Sequence, residues 1–384
     1  MKVLFITHCV NMGGGNFSLL QLMKELSQPP YNVEPILLAP LDSPSYSSSI
    51  LREAKSIGIK CISARFYQFK WESRSIGNYL RYFSNIINYS RILRIVKREK
   101  VDLIHSNSSV IDIGGFLASK LKVKHVWHLR EFGDLDFGLK SLLGKSYEKS
   151  VYTRSDRFIA ISESVKRRFL PFIEPASKIE VIYNGLPQKH KTFIPHSEKC
   201  EEVNFCISGS LNPAKRQIDA LRAMDILVNE RGIRNIHLFI LGEGGDKAAL
   251  EHFCKERGIE RYVTFTGWVK DVDYYYSRCQ VGLMLSVNEG FGRVTIDYMR
   301  SGMAIIASNG GANPELITAN ETGLFIPVAD YKALADKMTL MVENPALRET
   351  LGRNALEYSL SHFRSEDNTK GVFDVYQKIM SERL

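Results

Sequence analysis

A segment after the strand-like run Val281–Ser286 has the residue types that suit an extended, negatively charged ligand. Gly290 and Gly292 let the backbone come close to a ligand, and the helix expected after them offers N–H groups and a positive dipole end to a phosphate. An acid stands at each end of the segment, Glu289 and Asp297. Acids at the ends with amides between them predict a site for a sugar joined to a nucleoside diphosphate. The alternative is a glycine-containing turn with a capping acid.

A pair of cations follows another strand-like run, Val203–Ser208. Lys215 and Arg216 are adjacent in the sequence and come after the turn that begins at Gly209. Two adjacent cations can neutralise a departing diphosphate, which is what the transfer of a sugar from a nucleotide requires most. The alternative is a solvated basic turn.

Two segments of the N-terminal half are further candidates. Gly13–Gly15 follow the first strand and precede a helix expected near Phe17, so they predict either a phosphate-binding loop or a plain helix start. In a second segment, which also follows a strand, we expect Arg130 and Glu131 to face a ligand cleft. His128 is a second candidate there, and its alternative is a histidine packed within the strand.

Short apolar runs alternate with helix-length amphipathic stretches along most of the chain, which is typical of parallel sheets with crossover helices. A polar stretch, Leu186–Glu202, interrupts the pattern and predicts an interdomain linker. The fold class is therefore α/β, with two Rossmann-like doubly wound domains facing each other across a cleft at the carboxyl ends of their strands. The predicted strands are Val3–Thr7, Val33–Ala39, Leu103–His105, Val123–Leu129, Arg157–Ile161, Val203–Ser208, His237–Leu241, Val263–Thr266, Val281–Leu285 and Ala304–Ala307.

Composition and charge exclude some classes of protein and indicate a class of partner. No run reaches the ~20 apolar residues of a membrane-spanning helix, and the N-terminus lacks the pattern of a signal peptide. The six cysteines are scattered without metal-ligand spacing, which favours a reducing cytoplasm over a disulfide framework or a zinc site. Residues 1–190 carry 28 Lys and Arg against 16 Asp and Glu, whereas the remainder carries 23 against 26. This excess predicts an anionic partner for the N-terminal half, either an acidic membrane surface or a nucleic acid.

Two other patterns carry weaker hypotheses. Asp134 and Asp136 form a D-x-D pair, a pattern that can bind a metal, but we expect no metal because the pair lies far in sequence from the other candidates. Residues 65–100 mix aromatic and basic side chains. That mixture favours an interfacial role beside a membrane, with ordinary helix core and a solvated face as its alternative.

The chain resembles glycosyltransferase family 4, retaining enzymes of the GT-B fold, and in particular the bacterial capsular and cell-surface polysaccharide glycosyltransferases. The segment at 289–297 is similar to the E-x7-E signature of that family, with Asp297 in place of the second Glu. Ser210 likewise stands where the family commonly has a cation. Seven further short motifs occur in the family's order: Gly13–Gly15, Ile159–Ser162, Asn184–Gly185, Gly209–Arg216, Leu241–Gly244, Phe265–Gly267 and Gly310–Glu315.

The resemblance implies an acceptor-binding domain at 1–187, a donor-binding domain at 199–365 and a terminal helix, 366–384, that packs back on the first domain. Glu289 is then expected to contact the transferred sugar, with Asp297 on the ribose. The implied catalytic residues are Glu289, Lys215, Arg130, Glu131 and His128. The implied donor-binding residues are Gly14, Gly15, Gly209, Ser210, Lys215, Arg216, Glu289, Gly290, Phe291, Gly292, Arg293 and Asp297.

The function that follows is transfer of a hexose-type sugar from a UDP-, GDP- or ADP-sugar to a glycan or lipid-linked acceptor, without cofactor or metal. We expect this in surface polysaccharide assembly, at the anionic cytoplasmic face of the plasma membrane. A catalytically silent sugar-nucleotide-binding subunit is an alternative, as is a nucleotide-sugar 2-epimerase. A nucleic-acid-binding protein is a further alternative, but no nucleic-acid motif occurs, so no nucleic acid is expected as a partner.

Overall fold

A computed structural model describes residues 1–41, 49–187 and 202–382 of the chain. The chain divides into two compact units, one made of Met1–Pro187 with Ser365–Leu384 and the other of Gln188–Arg364. Most of the predicted linker, residues 188–201, lies outside the described residues.

Unit 1 is built on parallel strands with helices between them. Its strands are β1 (Lys2–Ile6), β2 (Glu34–Ala39), β3 (Lys60–Ser63), β4 (Lys70–Trp71), β5 (Leu103–Ser106), β6 (Lys124–Leu129), β7 (Lys140–Ser141), β8 (Arg157–Ala160) and β9 (Ile179–Val181). Its helices up to residue 187 are α1 (Gly14–Leu26), α2 (Ile50–Ser56), α3 (Ile76–Phe83), α4 (Asn85–Glu99), α5 (Ile113–Leu121), α6 (Asp134–Phe137), α7 (Gly144–Tyr152) and α8 (Glu163–Phe169). Seven strands form one parallel sheet in the order β3-β2-β1-β5-β6-β8-β9, and β4 pairs with β7 as an antiparallel ribbon.

Unit 2 is likewise built on parallel strands with helices between them. Its strands are β10 (Val203–Ser208), β11 (Ile236–Leu241), β12 (Val263–Gly267), β13 (Val281–Met284), β14 (Ala304–Ser308) and β15 (Leu324–Ile326). Its helices are α9 (Gln217–Asp225), α10 (Lys247–Arg257), α11 (Asp273–Tyr276), α12 (Arg293–Arg300), α13 (Asn313–Leu316), α14 (Tyr331–Glu343) and α15 (Pro345–His362). All six strands run parallel, in the order β12-β11-β10-β13-β14-β15.

The ten strands predicted from apolar runs are confirmed to within one residue at each end. Helices cover both faces of such sheets, so each strand is apolar along its whole length and easily recognised. Five strands of two to four residues, β3, β4, β7, β9 and β15, were not predicted. The helix expected near Phe17 begins three residues earlier, at Gly14.

The terminal helix α16 (Ser365–Ser381) belongs to unit 1. Val372 and Ile379 are fully buried in the same apolar cluster as Phe5 of the central strand β1. The Tyr376 hydroxyl lies 2.7 Å from Nδ1 of His105 in β5. No helix within the described residues is both long and apolar enough to span a bilayer.

Candidate functional site

In unit 2 the direction of strand order reverses between β10 and β13. From β10 the chain continues outward to β11 and β12, whereas from β13 it continues outward on the other side to β14 and β15. The loops that leave two such neighbouring strands diverge to opposite faces, and the crevice between them is where doubly wound sheets bind ligands. Residues 209–216 and 285–292 form these two loops.

The two loops are joined by an ion pair. Lys215 Nζ lies 2.7 Å from Glu289 Oε2, and both side chains remain partly exposed, 32% and 17%. A backbone hydrogen bond from Val287 N to Ala214 O, 3.1 Å long, holds the loops together beneath the pair. The structure therefore brings together two sequence-predicted residues that stand 74 positions apart.

Local hydrogen bonds place Lys215. Asn212 accepts hydrogen bonds at Oδ1 from the backbone of Ala214 and Lys215, at 3.1 and 3.3 Å, and so caps the single turn Pro213–Lys215. Gly209 has φ +144, and a Cβ there would lie 3.8 Å from the aliphatic part of Lys215. The lysine stem thus lies directly over the glycine at the end of β10.

Arg216 is held differently from its neighbour. Its guanidinium makes two bonds to Asp219, Nε to Oδ2 at 2.6 Å and Nη2 to Oδ1 at 2.8 Å. The Asp219 side chain is only 3% exposed, so this is an internal pair at the start of α9. Ser210 is exposed, and its carbonyl accepts a hydrogen bond from Gln217 Nε2 at 3.0 Å. Each of the two adjacent cations thus has its own carboxylate, Glu289 for Lys215 and Asp219 for Arg216.

The glycine-containing loop after β14 packs against the backbone of Glu289. Ala312 N donates to Glu289 O at 2.8 Å. Gly311 has φ +57, and a Cβ at this position would lie 2.4 Å from Glu289 N and 2.5 Å from Glu289 O. Only glycine allows this approach, since such distances are far below van der Waals contact. The Gly310–Glu315 motif thus fixes the backbone of Glu289.

Helix α12 begins at Arg293, after Gly292 in the left-handed conformation. Glu289 therefore precedes the helix, whereas Asp297 lies within it, so the two acids are not on one continuous helix. Gly290 is buried, and the Phe291 ring packs edge-on against Phe363 in the core. A ligand at this stretch would therefore contact its backbone and not its side chains.

The Asp297 carboxylate stabilises the charged form of Arg293, which lies in the same helix. Burial lowers the pKa of Arg293, and the carboxylate of Asp297 partly opposes that effect. Both side chains are half-buried and stand four residues apart, one helical turn. The Asp297 carboxylate therefore lies in the electrostatic field of a cation on the same helix.

A separate pocket of about 370 Å³ lies at the carboxyl edge of the unit 1 sheet. This edge also has a reversal of strand order, between β1 and β5. Loops that follow β1, β5 and β6 supply most of the wall, so the position again fits the rule for doubly wound sheets. The lining residues are Thr7, His8, Cys9, Asn11, Gly13, Gly15, Asn16, Glu72, Asn107, Val110, Arg130, Glu131, Phe137 and Leu139.

Arg130 and Glu131 both line this pocket and are both anchored by hydrogen bonds. Arg130 Nε donates to Asn107 Oδ1 at 2.7 Å, and its Nη1 donates to Asn184 Oδ1. Glu131 Oε1 accepts from Ser108 Oγ at 2.6 Å and from the backbone N and Oγ of Ser109 at 2.6 and 3.0 Å. These contacts join the loops after β5, β6 and β9 into one wall.

His128 does not reach the pocket. It lies in β6, is fully buried, and its Nδ1 is 3.3 Å from Nε2 of His105. Burial, with Arg130 and His105 nearby, lowers the pKa of His128 well below its ordinary value. His128 is therefore a histidine packed within its strand, which was the alternative to a catalytic role.

The N-terminal glycines form the first turn of α1, with Gly13 as the residue before the helix. A Cβ at Gly14 or Gly15 would meet nothing within 4 Å, so neither glycine is required by internal packing. Asn16, only 4% exposed, fixes the preceding loop. Its Nδ2 donates to the carbonyls of Cys9 and Asn11, and its Oδ1 accepts from Thr7. The glycines are thus held at the pocket wall with open space beyond them.

The two acids of the D-x-D pair have different partners. Asp134 makes two bonds to Arg168, at 2.9 and 2.6 Å. Asp136 accepts from the backbone N of Phe132 and Gly133, at 2.9 and 2.7 Å. Among residues 1–41, 49–187 and 202–382, no three His, Cys, Asp or Glu side chains are grouped to hold a metal.

Several residues at the two sites were missed from the sequence. Asn107 and the serines after it come directly after β5, and such a polar run at a strand end is a usable signal. Asp219 was not singled out, although it stands only three residues after Arg216. Gly311 belongs to the predicted motif Gly310–Glu315, but its contact with Glu289 depends on the fold.

The chain is similar to known glycosyltransferases along most of its length. It is 24% identical to N-acetyl-alpha-D-glucosaminyl L-malate synthase of Bacillus anthracis, over 76% of this chain and 79% of that protein. It is 22% identical to the capsular polysaccharide biosynthesis glycosyltransferase CapM of Staphylococcus aureus, over 78% of this chain and 83% of that one.

Solved structures share the fold. The crystal structure of Anabaena HepE in complex with UDP matches with a TM-score of 0.78 at 18% identity, covering 98% of this chain and 100% of that chain. The complex of the same protein with UDP-glucose matches with a TM-score of 0.77 at 16% identity, with the same coverage.

Two family models match successive parts of the sequence. Residues 12–189 match glycosyltransferase family 4, and residues 189–358 match the glycosyl transferases group 1. Each match coincides with one of the two α/β units, which fits the GT-B plan of two Rossmann-like domains in one chain. The chain therefore belongs to the family 4 type of glycosyltransferases with the GT-B fold.

Proposed function

We propose that this glycosyltransferase moves a hexose-type sugar from a nucleoside diphosphate sugar to a glycan or lipid-linked acceptor in surface polysaccharide assembly, with retention of configuration. The observation that carries the proposal is the Lys215–Glu289 pair at the strand-order reversal of unit 2. A cation and a carboxylate 2.7 Å apart at a ligand-binding crevice provide one group for phosphate and one for sugar hydroxyls. CapM of Staphylococcus aureus, a capsular polysaccharide glycosyltransferase, supports the choice of pathway class.

Departure of the nucleoside diphosphate needs stabilisation of the charge that develops on its phosphate oxygens. In this proposal Lys215 supplies that charge, together with the backbone at the start of α12. Glu289 orients the sugar through its hydroxyl groups. The bond from the sugar to the diphosphate breaks to give an oxocarbenium-like ion pair, and the acceptor hydroxyl attacks on the face that the diphosphate leaves, which retains the configuration. A departing phosphate oxygen takes the hydroxyl proton, so no side chain is assigned as nucleophile or strong base.

A UDP-sugar is the donor we would test first, because the HepE structures with a similar fold contain UDP and UDP-glucose. Asp297 then binds the ribose hydroxyls, with a shorter side chain than the family's glutamate and with Arg293 as a competitor. In unit 1, the pocket with Arg130 and Glu131 takes the acceptor. The open space beyond Gly14 and Gly15 leaves room there for a phosphate or a sugar of the acceptor.

A catalytically silent nucleotide-sugar binder is the second candidate. It is favoured by the reduced set of phosphate-binding cations, because Ser210 replaces one and Arg216 is paired with Asp219. The two candidates differ in whether bound donor is turned over.

The test is a panel of UDP-, GDP- and ADP-sugars, with thermal shift for binding and slow donor hydrolysis for chemistry. The variant is Glu289→Gln, and the matched control is Glu251→Gln on the exposed side of α10. We expect one donor class to stabilise the wild type and hydrolysis to be lost in Glu289→Gln alone. Binding without any turnover supports the silent binder, and no binding by any donor contradicts both candidates.

A further inference from the structure

In unit 1, the apolar side of α3 and of the first turn of α4 faces solvent. In α3, Ile76 is 80% exposed, Leu80 67% and Phe83 48%. In the first turn of α4, Ile86 is 72% exposed and Ile87 60%. Single exposed apolar residues are ordinary, but five large ones within one short segment form a cluster of the kind that marks a binding surface.

The polar side of α3 and of the first turn of α4 faces the protein, which reverses the usual arrangement of an amphipathic helix, whereas further along α4 Ile92 and Val96 are buried in the ordinary way. The side chains of Asn78, Tyr82, Asn85 and Tyr89 are all buried. Asn78 Nδ2 donates to the Ser73 carbonyl at 3.0 Å. Each of these side chains therefore needs a hydrogen-bond partner in the interior, and each has one.

Asp112 fixes this reversed orientation. Its Oδ2 accepts from the Tyr82 hydroxyl at 2.6 Å, and its Oδ1 accepts from the Tyr89 hydroxyl at 2.5 Å. Asn85 holds Tyr67 by accepting from its N at 3.0 Å and donating to its carbonyl at 2.9 Å. Turning the helices over would take two of the three hydroxyls that Asp112 binds away from its carboxylate, leaving it only the Tyr147 hydroxyl at 2.9 Å, which is costly. The apolar patch is therefore held outward by the fold.

Basic residues surround the patch. Residues 73–98 contain six Lys or Arg and no Asp or Glu, and all six are exposed: Arg74, Arg81, Arg91, Arg94, Lys97 and Arg98. A second segment lies beside α3, because the Tyr79 hydroxyl donates to the Leu142 carbonyl at 2.9 Å. It adds Leu143, 40% exposed, with the exposed Lys140 and Lys145 on either side in sequence.

We propose that this surface, which we term the α3–α4 face (Ile76, Leu80, Phe83, Ile86 and Ile87 with the surrounding cations), docks on the surface of an anionic lipid bilayer. Exposed aliphatic side chains bury themselves among the lipid chains near the headgroups, while the cations pair with anionic headgroups. This inference rests on the proposed function for its lipid-linked acceptor and deepens it by assigning the membrane partner to a surface.

Charge favours a bilayer over a second copy of the chain. In a two-fold dimer through this face, each copy would place its six cations against the same six of its partner. Such like-charge contacts oppose association, whereas an acidic membrane is complementary to them. The long Arg and Lys stems can also extend past the apolar patch to reach headgroups.

The test is co-flotation of the full chain with phosphatidylcholine vesicles, with and without phosphatidylglycerol. We expect the wild type to bind only the anionic vesicles, and less as salt is raised. Ile76→Ser/Leu80→Ser/Ile87→Ser should reduce binding at least tenfold, because it removes three inserted side chains. Arg91→Gln/Arg94→Gln should reduce it about fivefold per cation removed. The matched control Ile57→Ser, at a site 43% exposed at the end of α2, should bind as the wild type does.

Equal binding to neutral vesicles, or unchanged binding by the triple serine variant, would overturn the proposal. So would a dimer in sedimentation velocity that the same serines disperse, if no vesicle binding accompanies it. Donor hydrolysis without vesicles should be the same in the triple variant and the wild type. Vesicle binding by a chain that hydrolyses no donor contradicts the proposed function alone, whereas hydrolysis without vesicle binding contradicts the α3–α4 face alone.

Discussion

Lys215 and Glu289 meet at 2.7 Å although each belongs to a different strand-to-helix loop of unit 2. The contact is possible because β10 and β13 are neighbours in the sheet, so the loops that follow them begin side by side and are joined by the bond from Val287 N to Ala214 O. In contrast, Arg216, the next residue in sequence, is bound by Asp219. Adjacent residues of the same charge thus differ in what they can offer to a ligand.

Replacing Lys215 should therefore harm catalysis far more than replacing Arg216. We expect Lys215→Met to reduce the turnover of the nucleotide-sugar donor about 100-fold, because one preorganised charge at the leaving group is lost. Arg216→Asn should remain within about tenfold of wild type and mainly lower stability, since asparagine tolerates the left-handed backbone at this position (φ 58). Steady-state kinetics and thermal unfolding of both variants measure the two effects. Equal losses of turnover would contradict the separate assignment of the two cations.

Gly311→Ala should disturb the donor site through the backbone of Glu289. A Cβ at 311 would lie 2.4 Å from Glu289 N, so the loop that carries Glu289 must move. We expect donor affinity to fall at least about tenfold, the effect of 1.4 kcal/mol or more. Gly258→Ala is the matched control, because Gly258 has a similar φ of +64 but nothing within 4 Å of the added Cβ. Calorimetric titration of donor should separate the two, and equal affinities would contradict the role of Gly311.

Lys70 and Glu148 form a buried ion pair in unit 1, with Nζ 2.6 Å from Oε1 and side chains 3% and 9% exposed. Burial lowers the pKa of Lys70, although Glu148 opposes that effect. Lys70→Met leaves the Glu148 carboxylate buried without its cation, so we expect a loss of about 3 to 5 kcal/mol in the free energy of unfolding. Lys70→Met/Glu148→Leu should recover most of it.

The control for this pair is Lys149→Met, which breaks an exposed pair with Glu174 whose side chains are 51% and 74% exposed. Its cost should be about 1 kcal/mol or less, because water screens such a pair. Urea unfolding gives all three values. A double variant no more stable than Lys70→Met would show that the single loss arises from packing and not from the unpaired charge.

Asp136 should make stability depend on pH. Burial, with the nearby carboxylate of Glu131, raises the pKa of Asp136 to about 6. A carboxyl whose pKa is raised by folding favours the folded state while it is protonated, below its unfolded pKa. That stability is lost as the pH rises through about 6, by up to about 3 kcal/mol for a shift of about two units.

Asp136→Asn removes this titration. Relative to wild type, we expect the variant to gain stability as the pH rises from about 4 to about 7, whatever backbone hydrogen bond it loses at all pH values. Urea unfolding across this range measures the difference, with Asp374→Asn, on the exposed side of α16, as the control. Parallel curves for wild type and Asp136→Asn would contradict the raised pKa.

The strands and the glycine-containing loops after them could be predicted because their signals are local. A strand buried on both sides is a short apolar run, and a loop at its carboxyl end needs glycines and polar residues. The same reasoning correctly placed Glu289 and Lys215 at strand ends. It could not pair them, since pairing depends on which strands are neighbours in the sheet.

The histidines and the α3–α4 face illustrate the limit of local signals. His128 lies in a strand, and the sequence does not show whether its side chain is exposed. The neighbouring elements β5 and α16 bury that side chain in the folded protein. In α3, spacing defines an apolar stripe containing Ile76 and Leu80 and a polar one containing Asn78, but not which stripe faces inward. Asp112, thirty residues beyond Tyr82, decides that by binding its hydroxyl.

The sequence by itself determined the fold class, the positions of the strands, the division into two α/β parts and the residue types at the strand ends. These follow from hydrophobic periodicity and turn chemistry, which act over a few residues. Only the tertiary structure decided that Lys215 pairs with Glu289, that Arg216 pairs with Asp219, and that an apolar helix face is turned outward. Those outcomes depend on hydrogen bonds and ion pairs that form only in the folded chain, most of them between residues distant in sequence. Local sequence patterns do not predict such contacts.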